Sequence, residues 1–129
     1  MFETLQIFRM SAAMARHASF RETVIAENVA NADTPGFKAR DTLSFTEALS
    51  GTGQQEGLRA TRAKHLNGFD PRATLVSEEK DNPWTSPNGN SVSLEQQALK
   101  SIQSKQQHDR ALAIYRSAMT LMRSAIGRR

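Results

Sequence analysis

A mainly α fold is predicted for this chain: long N- and C-terminal helices packing as a coiled-coil-like pair, with a loop-rich middle that is partly disordered or forms a small β element. Three observations predict it. Large apolar residues gather at the two ends, in residues 2–29 and 92–126. Within those ends they return at spacings near three and four, the period of an amphipathic helix. The stretch between, residues 50–90, holds three of the four prolines and five of the seven glycines and few large apolar groups. At 129 residues with 38% apolar content, the chain is one domain at most. Its expected parts are an N-terminal helix (2–31), a turn and loop-rich segment (32–90) and a C-terminal helix (91–127). A core drawn mainly from two helices is thin, so the chain is expected to be marginal alone and to need neighbours.

In the N-terminal segment, Phe2, Leu5, Ile7, Met10, Met14, Phe20, Val24, Ile25 and Val29 form a broad apolar stripe, with Ala12, Ala13, Ala15 and Ala18 between them. The pattern predicts a helix from Glu3 to Asn31 whose alanines permit close approach of another helix, its methionines acting as soft filler. Asn28 and Asn31, three residues apart on one face, have amides that can satisfy carbonyls of the last turn or bond to a neighbouring chain. Thr34 precedes a proline and is pushed out of the α region. Pro35-Gly36 suits the central pair of a type II turn, proline fixing φ and glycine accepting positive φ. Phe37 starts a new direction, and partial alternation over Phe37–Phe45 allows a strand or hairpin. Beyond it, glycines and prolines scattered among polar residues read as loop or conditional structure. Trp84 either anchors on a neighbouring subunit or covers its own loop.

The C-terminal segment has the cleaner period. Leu112, Tyr115, Met119, Met122 and Ile126 follow a 3-4-3-4 alternation, the seam of a coiled coil. Leu94, Ala98, Leu99 and Ile102 form an earlier patch, and the all-polar run Lys105–Arg110 separates the two, an interruption that a lone two-helix hairpin should tolerate poorly. Ser93 with Gln96 makes a capping box, and Gly127 is a helix stop before Arg128 and Arg129, whose charges suit the helix dipole. A helix from Ser93 to Ile126 would be about 50 Å long at the standard rise per residue.

Composition excludes several function classes. The net charge of +4 and pI near 10 invite a nucleic-acid reading. The cations, among them Arg9, Arg21, Lys38, Arg40, Arg62, Arg110 and Arg123, are instead spread along the chain among Glu3, Glu22, Glu27, Asp41 and Asp109, with no dense basic face. With no cysteine there is neither a disulfide framework nor a thiolate metal site. No run of about 18 apolar residues occurs. Glu3, Gln6 and Arg9 break up the N-terminal apolar positions, so the pattern of a cleaved signal is absent, which alone reads as cytosolic. His17, His65 and His108 have no second ligand at metal spacing. No phosphate loop, nucleophile elbow or zinc-protease pattern is present. The chain is therefore not expected to be an enzyme, and no catalytic, cofactor or metal residue and no small-molecule substrate is expected.

The run Ala26-Glu27-Asn28-Val29-Ala30-Asn31-Ala32-Asp33-Thr34-Pro35-Gly36-Phe37 resembles the signature near the N-terminus of axial flagellar proteins, the rod, hook and hook-associated subunits: A-N-N-L/V-A-N-x-x-T-x-G-F/Y. Within that group, Ala32–Asp41 looks most like the basal-body rod subunits. Thr61-Arg62-Ala63-Lys64-His65-Leu66 and Gly89-Asn90-Ser91-Val92-Ser93-Leu94-Glu95 resemble their central segment and their lead into the C-terminal helix. The resemblance covers nearly the whole chain, departing at Glu27 and over Gly51–Gly57. It implies a structural subunit of the proximal rod that polymerises through its terminal helices and is exported by the flagellar type III apparatus without a cleaved signal, so that it lies in the periplasm. It also implies other rod subunits, copies of itself, the membrane-proximal rod adaptor and the export gate as partners. Asn28, Ala30, Asn31, Asp33, Thr34, Pro35, Gly36 and Phe37 would be its assembly motif, and Leu112, Tyr115, Met119, Met122 and Ile126 its assembly seam. In that picture the turn directs the linking segment outward, and a turn substitution is nearly silent in the isolated chain. The alternative from another class is a small basic helical adaptor or nucleic-acid-binding module, which would bind DNA or RNA in a salt-sensitive way as a monomer.

Overall fold

The computed structural model describes residues 2–51, 76–79 and 84–127. In chain order the elements are α1 (Phe2–Ala30), β1 (Arg40–Thr42), α2 (Phe45–Gly51), β2 (Val76–Glu78) and α3 (Leu94–Ile126). Two long helices at the chain ends with a small β element between them are the predicted class. The loop readings at Gly53, Gly57, Gly68, Pro71 and Pro83, any disorder there, and the Thr61–Leu66 segment fall outside the described residues. No described helix is long and apolar enough to cross a membrane.

α3 begins where the capping pattern places it: Ser93 sits in extended backbone and its hydroxyl accepts the Gln96 N–H. It ends at Gly127, whose N–H returns to Arg123 O at 2.8 Å. α1 and α3 run antiparallel, since Phe8 meets Tyr115, Ala18 meets Ser104 and Asn28 meets Gln97.

The row that α3 buries is Gln97, Ser104, Ala111 and Ala118, one residue in seven, and α1 buries Ser11, Ala18, Val24 and Ile25. Beyond Gln97, whose large side chain meets Asn28, the spacing of seven keeps Ser104, Ala111 and Ala118 on one face, so the helices approach closely there. The Ser104 hydroxyl donates across the interface to Ala18 O at 2.9 Å. The polar run Lys105–Arg110 therefore does not interrupt the packing: Ser104 and Ala111 carry the contact past it, because the contact is made by smallness and not by apolar bulk. The earlier patch, by contrast, does not pack on α1. Leu99 is 62% exposed, and Leu94 and Ile102 also stand more than half open.

β1 and β2 pair antiparallel, Arg40 with Glu78, Asp41 with Ser77 and Thr42 with Val76. α2 was not expected. Its signal is nevertheless in the sequence, since Ser44 and Glu47 form a reciprocal capping box: the Ser44 hydroxyl accepts Glu47 N–H at 3.3 Å and the Glu47 carboxylate accepts Ser44 N–H at 2.9 Å. Hydrogen bonds from Ser44 hold that carboxyl below its ordinary range.

Candidate functional site

The last carbonyls of any helix lack partners within it. At the end of α1 the Asn31 N–H reaches Glu27 O and Asn28 O, each at 3.1 Å, and the Ala32 N–H reaches Val29 O at 3.2 Å. The carbonyls of the turn that follows are taken by a residue from the far side of the chain. The Asn90 side-chain amide nitrogen donates to the carbonyls of Asn31, Ala32 and Thr34 at 2.9, 2.8 and 2.8 Å. Its oxygen accepts Val92 N–H at 2.7 Å, just ahead of α3. One buried amide thus ties the turn after α1 to the approach to α3. Sequence reading quoted Asn90 within a family segment and gave it no role; the signal available was an asparagine three residues before the Ser93 cap, where a side chain that imitates a backbone turn belongs.

Asn28 is fully buried. Its Nδ2 donates to Arg40 O at 2.6 Å and its Oδ1 accepts Arg40 N–H at 3.0 Å, so the amide pairs with the backbone of the returning segment as a neighbouring strand would. Nδ2 also lies 3.1 Å from Gln97 Oε1 on α3. Only Asn31 follows the first of its expected alternatives, bonding Glu27 O in the last turn at 2.8 Å.

The turn is of type II as predicted: Gly36 has φ +73° and Phe37 N–H bonds Thr34 O at 3.3 Å. The chain after it does not run outward. Gly36 N–H donates to Asn88 O at 3.0 Å, Ser91 N–H to Phe37 O at 3.0 Å, and Ala39 N–H to the Ser91 hydroxyl at 2.9 Å, so Phe37–Thr42 doubles back between the two helix ends. The reason is a set of partners distant in sequence: the Asn28 amide pairs with the Arg40 backbone, and Ser91 bonds Phe37 O and Ala39 N–H, contacts that a solvent-directed strand would forgo. Gly89, also at positive φ (+82°), approaches so closely that a Cβ on it would lie 3.5 Å from Gly36 Cα. Of the remaining signature positions, Ala30, Asp33, Thr34 and Pro35 are exposed and Phe37 is half-buried.

This changes what a turn substitution should do. Nothing lies within 4 Å of a Cβ at Gly36, so Gly36→Val meets no clash and its cost is the left-handed backbone alone, about 1–3 kcal/mol. Because the turn is fastened to Asn88, that cost is expected to appear in the melting of the isolated chain, with Gly36→Asn, which tolerates positive φ, recovering most of it. A Gly36→Val chain that melts like the parent would mean the turn is not held.

A charged cluster ties the β ribbon to both helices. Arg21 from α1 grips Asp41 on β1 through two contacts of 3.2 Å, and Lys100 from α3 reaches Asp41 at 3.0 Å and Glu79 at 2.6 Å. Burial pushes the Asp41 carboxyl up, but the hydrogen bonds and charges of Arg21 and Lys100 outweigh it and hold the group below the ordinary 3.8. A carboxyl depressed in the folded state stabilises it above its unfolded pKa, and that contribution disappears as pH falls through the folded value. Asp41→Asn is therefore expected to cost about 1–3 kcal/mol near neutrality and to flatten the acid limb of stability against pH. Urea unfolding over an acid-to-neutral series checks it; an acid limb as steep in Asp41→Asn as in the parent would show that other carboxylates set it.

The structure does not bring the predicted seam together as the internal helix contact. Leu112, Met119 and Met122 are half-buried, Tyr115 is exposed beyond its edge contact with Phe8 (centroids 5.1 Å apart), and Ile126 is 75% exposed. The internal contact is the small-residue row beside it. At that same end of the pair Ile7, Met10, Ile114 and Leu121 also stand open to solvent. A cleft of about 850 Å³ lies between α1 and α2, lined by His17, Phe20, Phe45 and Leu49 among others. Its one histidine donates from Nε2 to Leu43 O at 2.9 Å and packs edge-on to Phe45, a structural role. Among the described residues no group of three or more His, Cys, Asp or Glu side chains could hold a metal.

A family profile described as "Flagella basal body rod protein" matches residues 8–38, most of α1 and the signature turn. The chain is similar to "Flagellar basal body rod protein FlgB" of Agrobacterium fabrum, 31% identical over 134 aligned residues covering 98% of this chain and 96% of the relative. The proteins of the same description from Aeromonas hydrophila and Yersinia enterocolitica are 30% and 35% identical, over 84% and 60% of this chain and 83% and 61% of their own lengths.

Proposed function

This chain belongs to the FlgB family of flagellar basal body rod proteins, and from that premise we propose that it is a structural, non-catalytic subunit of the proximal rod that polymerises through its terminal helices. On this reading it is exported by the flagellar type III apparatus without a cleaved signal and sits in the periplasm, among other rod subunits, copies of itself, the membrane-proximal rod adaptor and the export gate. It binds neither nucleic acid nor a small-molecule substrate.

One observation supports polymerisation most directly. The two helices hold each other by small residues and leave large apolar ones outside: Ile7, Met10, Ile114, Leu121 and Ile126 at one end of the pair, and Leu94, Leu99 and Ile102 near the other. A soluble monomer does not keep that much apolar side chain in water at both ends without a partner to cover it. Patches at opposite ends that meet head to tail build a helical tube where the rotation between subunits does not close a ring. Methionines at the seam suit contacts with neighbours that are not identical. In the same reading the signature residues act from inside, Asn28, Asn31 and the Pro35-Gly36 turn fixing how the segment after α1 folds back between the two helix ends.

The test is complementation of a strain deleted for the chain's gene, with basal bodies purified and probed for the chain. Restored motility together with the chain in the rod fraction is expected. Restored motility with the chain recovered only from the soluble fraction would sink the structural reading.

A further inference from the structure

The junction holds an Asn-Gly pair, Asn88-Gly89, and the chain has one other, Asn67-Gly68. Such pairs cyclise most readily because glycine puts no side chain beside the attacking nitrogen. Gly89 N attacks Cγ of Asn88, the Cγ–Nδ2 bond breaks, and the nitrogen leaves as ammonia with the proton that Gly89 gives up. Water then opens the cyclic imide at either carbonyl, giving aspartate or an isoaspartate whose backbone runs through Cβ and Cγ.

In the folded chain both reacting groups are engaged. Gly89 N–H is bonded to Ser86 O at 2.8 Å, and Asn88 Oδ1 accepts Asn90 N–H at 3.0 Å. The Asn88 carbonyl itself takes the Gly36 N–H at 3.0 Å, and the neighbouring Asn90 carries the amide that ties the turn after α1. We propose that Asn88 is a deamidation site that the folded junction restrains and whose conversion to isoaspartate unfastens that junction.

Restraint follows because the Gly89 nitrogen must give up its bond to Ser86 O and turn toward Cγ before it can attack, while the Asn90 N–H fixes the Asn88 side chain within the ordered turn. Unfastening follows because isoaspartate lengthens the backbone inside the turn and turns the carbonyl that held Gly36 into a free carboxylate. Time spent unfolded is thereby recorded at one residue as a lasting loss of foldability.

The experiment uses the full chain carrying Asn67→Ser, so that Asn88-Gly89 is its one Asn-Gly pair. It is aged at mildly alkaline pH in buffer and in urea, isoaspartate at Asn88 is quantified by peptide mapping, and the urea-aged protein is refolded and melted. Deamidation at Asn88 is expected to be at least about tenfold slower in buffer, the factor that corresponds to about 1.4 kcal/mol of opening, and the refolded isoaspartate form to melt lower than the unaged chain. Equal rates in buffer and urea overturn the restraint. An isoaspartate form that melts like the unaged chain overturns the unfastening. Asn88→Ser keeps an oxygen acceptor for Asn90 N–H and cannot cyclise, so its urea-aged form should melt unchanged; the same loss in that variant would place the damage elsewhere and reject the site.

Discussion

Asn90→Ala is expected to destabilise the isolated chain by about 2–4 kcal/mol, the largest loss of any single amide in the junction. The size follows from which partners have somewhere else to go. Asn31 O also receives Thr34 N–H and Thr34 O also receives Phe37 N–H, so these two carbonyls stay bonded when Asn90 is truncated. Ala32 O and Val92 N–H depend on the Asn90 side chain and would be left without it, each at a cost of about 1–3 kcal/mol where water cannot reach. Among the described residues the buried apolar side chains are alanines, two valines and one isoleucine, which leaves little stability to spare, so the melting transition should drop steeply. Asn90→Asp separates hydrogen bonding from shape. It keeps the oxygen for Val92 but loses both donors and sets a carboxylate against three carbonyl oxygens at the negative end of α1, so it should be at least as damaging as alanine. Urea denaturation followed by circular dichroism decides; an Asn90→Asp chain as stable as the parent would remove Asn90 from its place as the clasp.

Much of this architecture is legible in the sequence where one residue has one strong preference. Ser93 and Gly127 mark the ends of α3, and Pro35-Gly36 marks the turn, because caps and turns depend on local chemistry that no distant contact overrides. The helix contact was harder to read. Leu112, Tyr115, Met119, Met122 and Ile126 carry a coiled-coil period, and apolar period is the usual guide. Yet Gln97, Ser104, Ala111 and Ala118 are what α3 buries, a row that hydrophobicity does not mark because Gln97 contributes a hydrogen bond with Asn28 and the three small residues contribute close approach. The junction was least legible of all. Asn28 with Arg40, Asn90 with Asn31, and Asp41 with Arg21 and Lys100 are pairs distant in sequence, and nothing in a single chain's local pattern says which group will meet which. The segment after Gly36 was therefore expected to leave the helix pair, whereas its hydrogen bonds turn it back.

Met119→Asp is expected to leave the monomer nearly intact and to abolish assembly, and the contrast is what makes it informative. In the isolated chain Met119 is half-buried, beside the Ala118 position that packs on α1, so a carboxylate there can still reach water and should cost no more than about 1 kcal/mol. Covered by a neighbouring subunit, the same carboxylate would have to be desolvated without a partner, at a cost of several kcal/mol per contact, repeated at every step of a polymer. Leu121→Asp makes the same argument from a residue 65% exposed in the monomer, where the folded chain has still less to lose. Both chains should give parental circular dichroism and near-parental melting, should still be exported, and should fail to restore rods or motility in the deletion strain. Loss of helix content in Met119→Asp but not in Leu121→Asp would make Met119 part of the internal core. Restoration of motility by both would mean that this end of the helix pair stays open in the rod, and that the neighbouring subunits dock on the Leu94–Ile102 face instead.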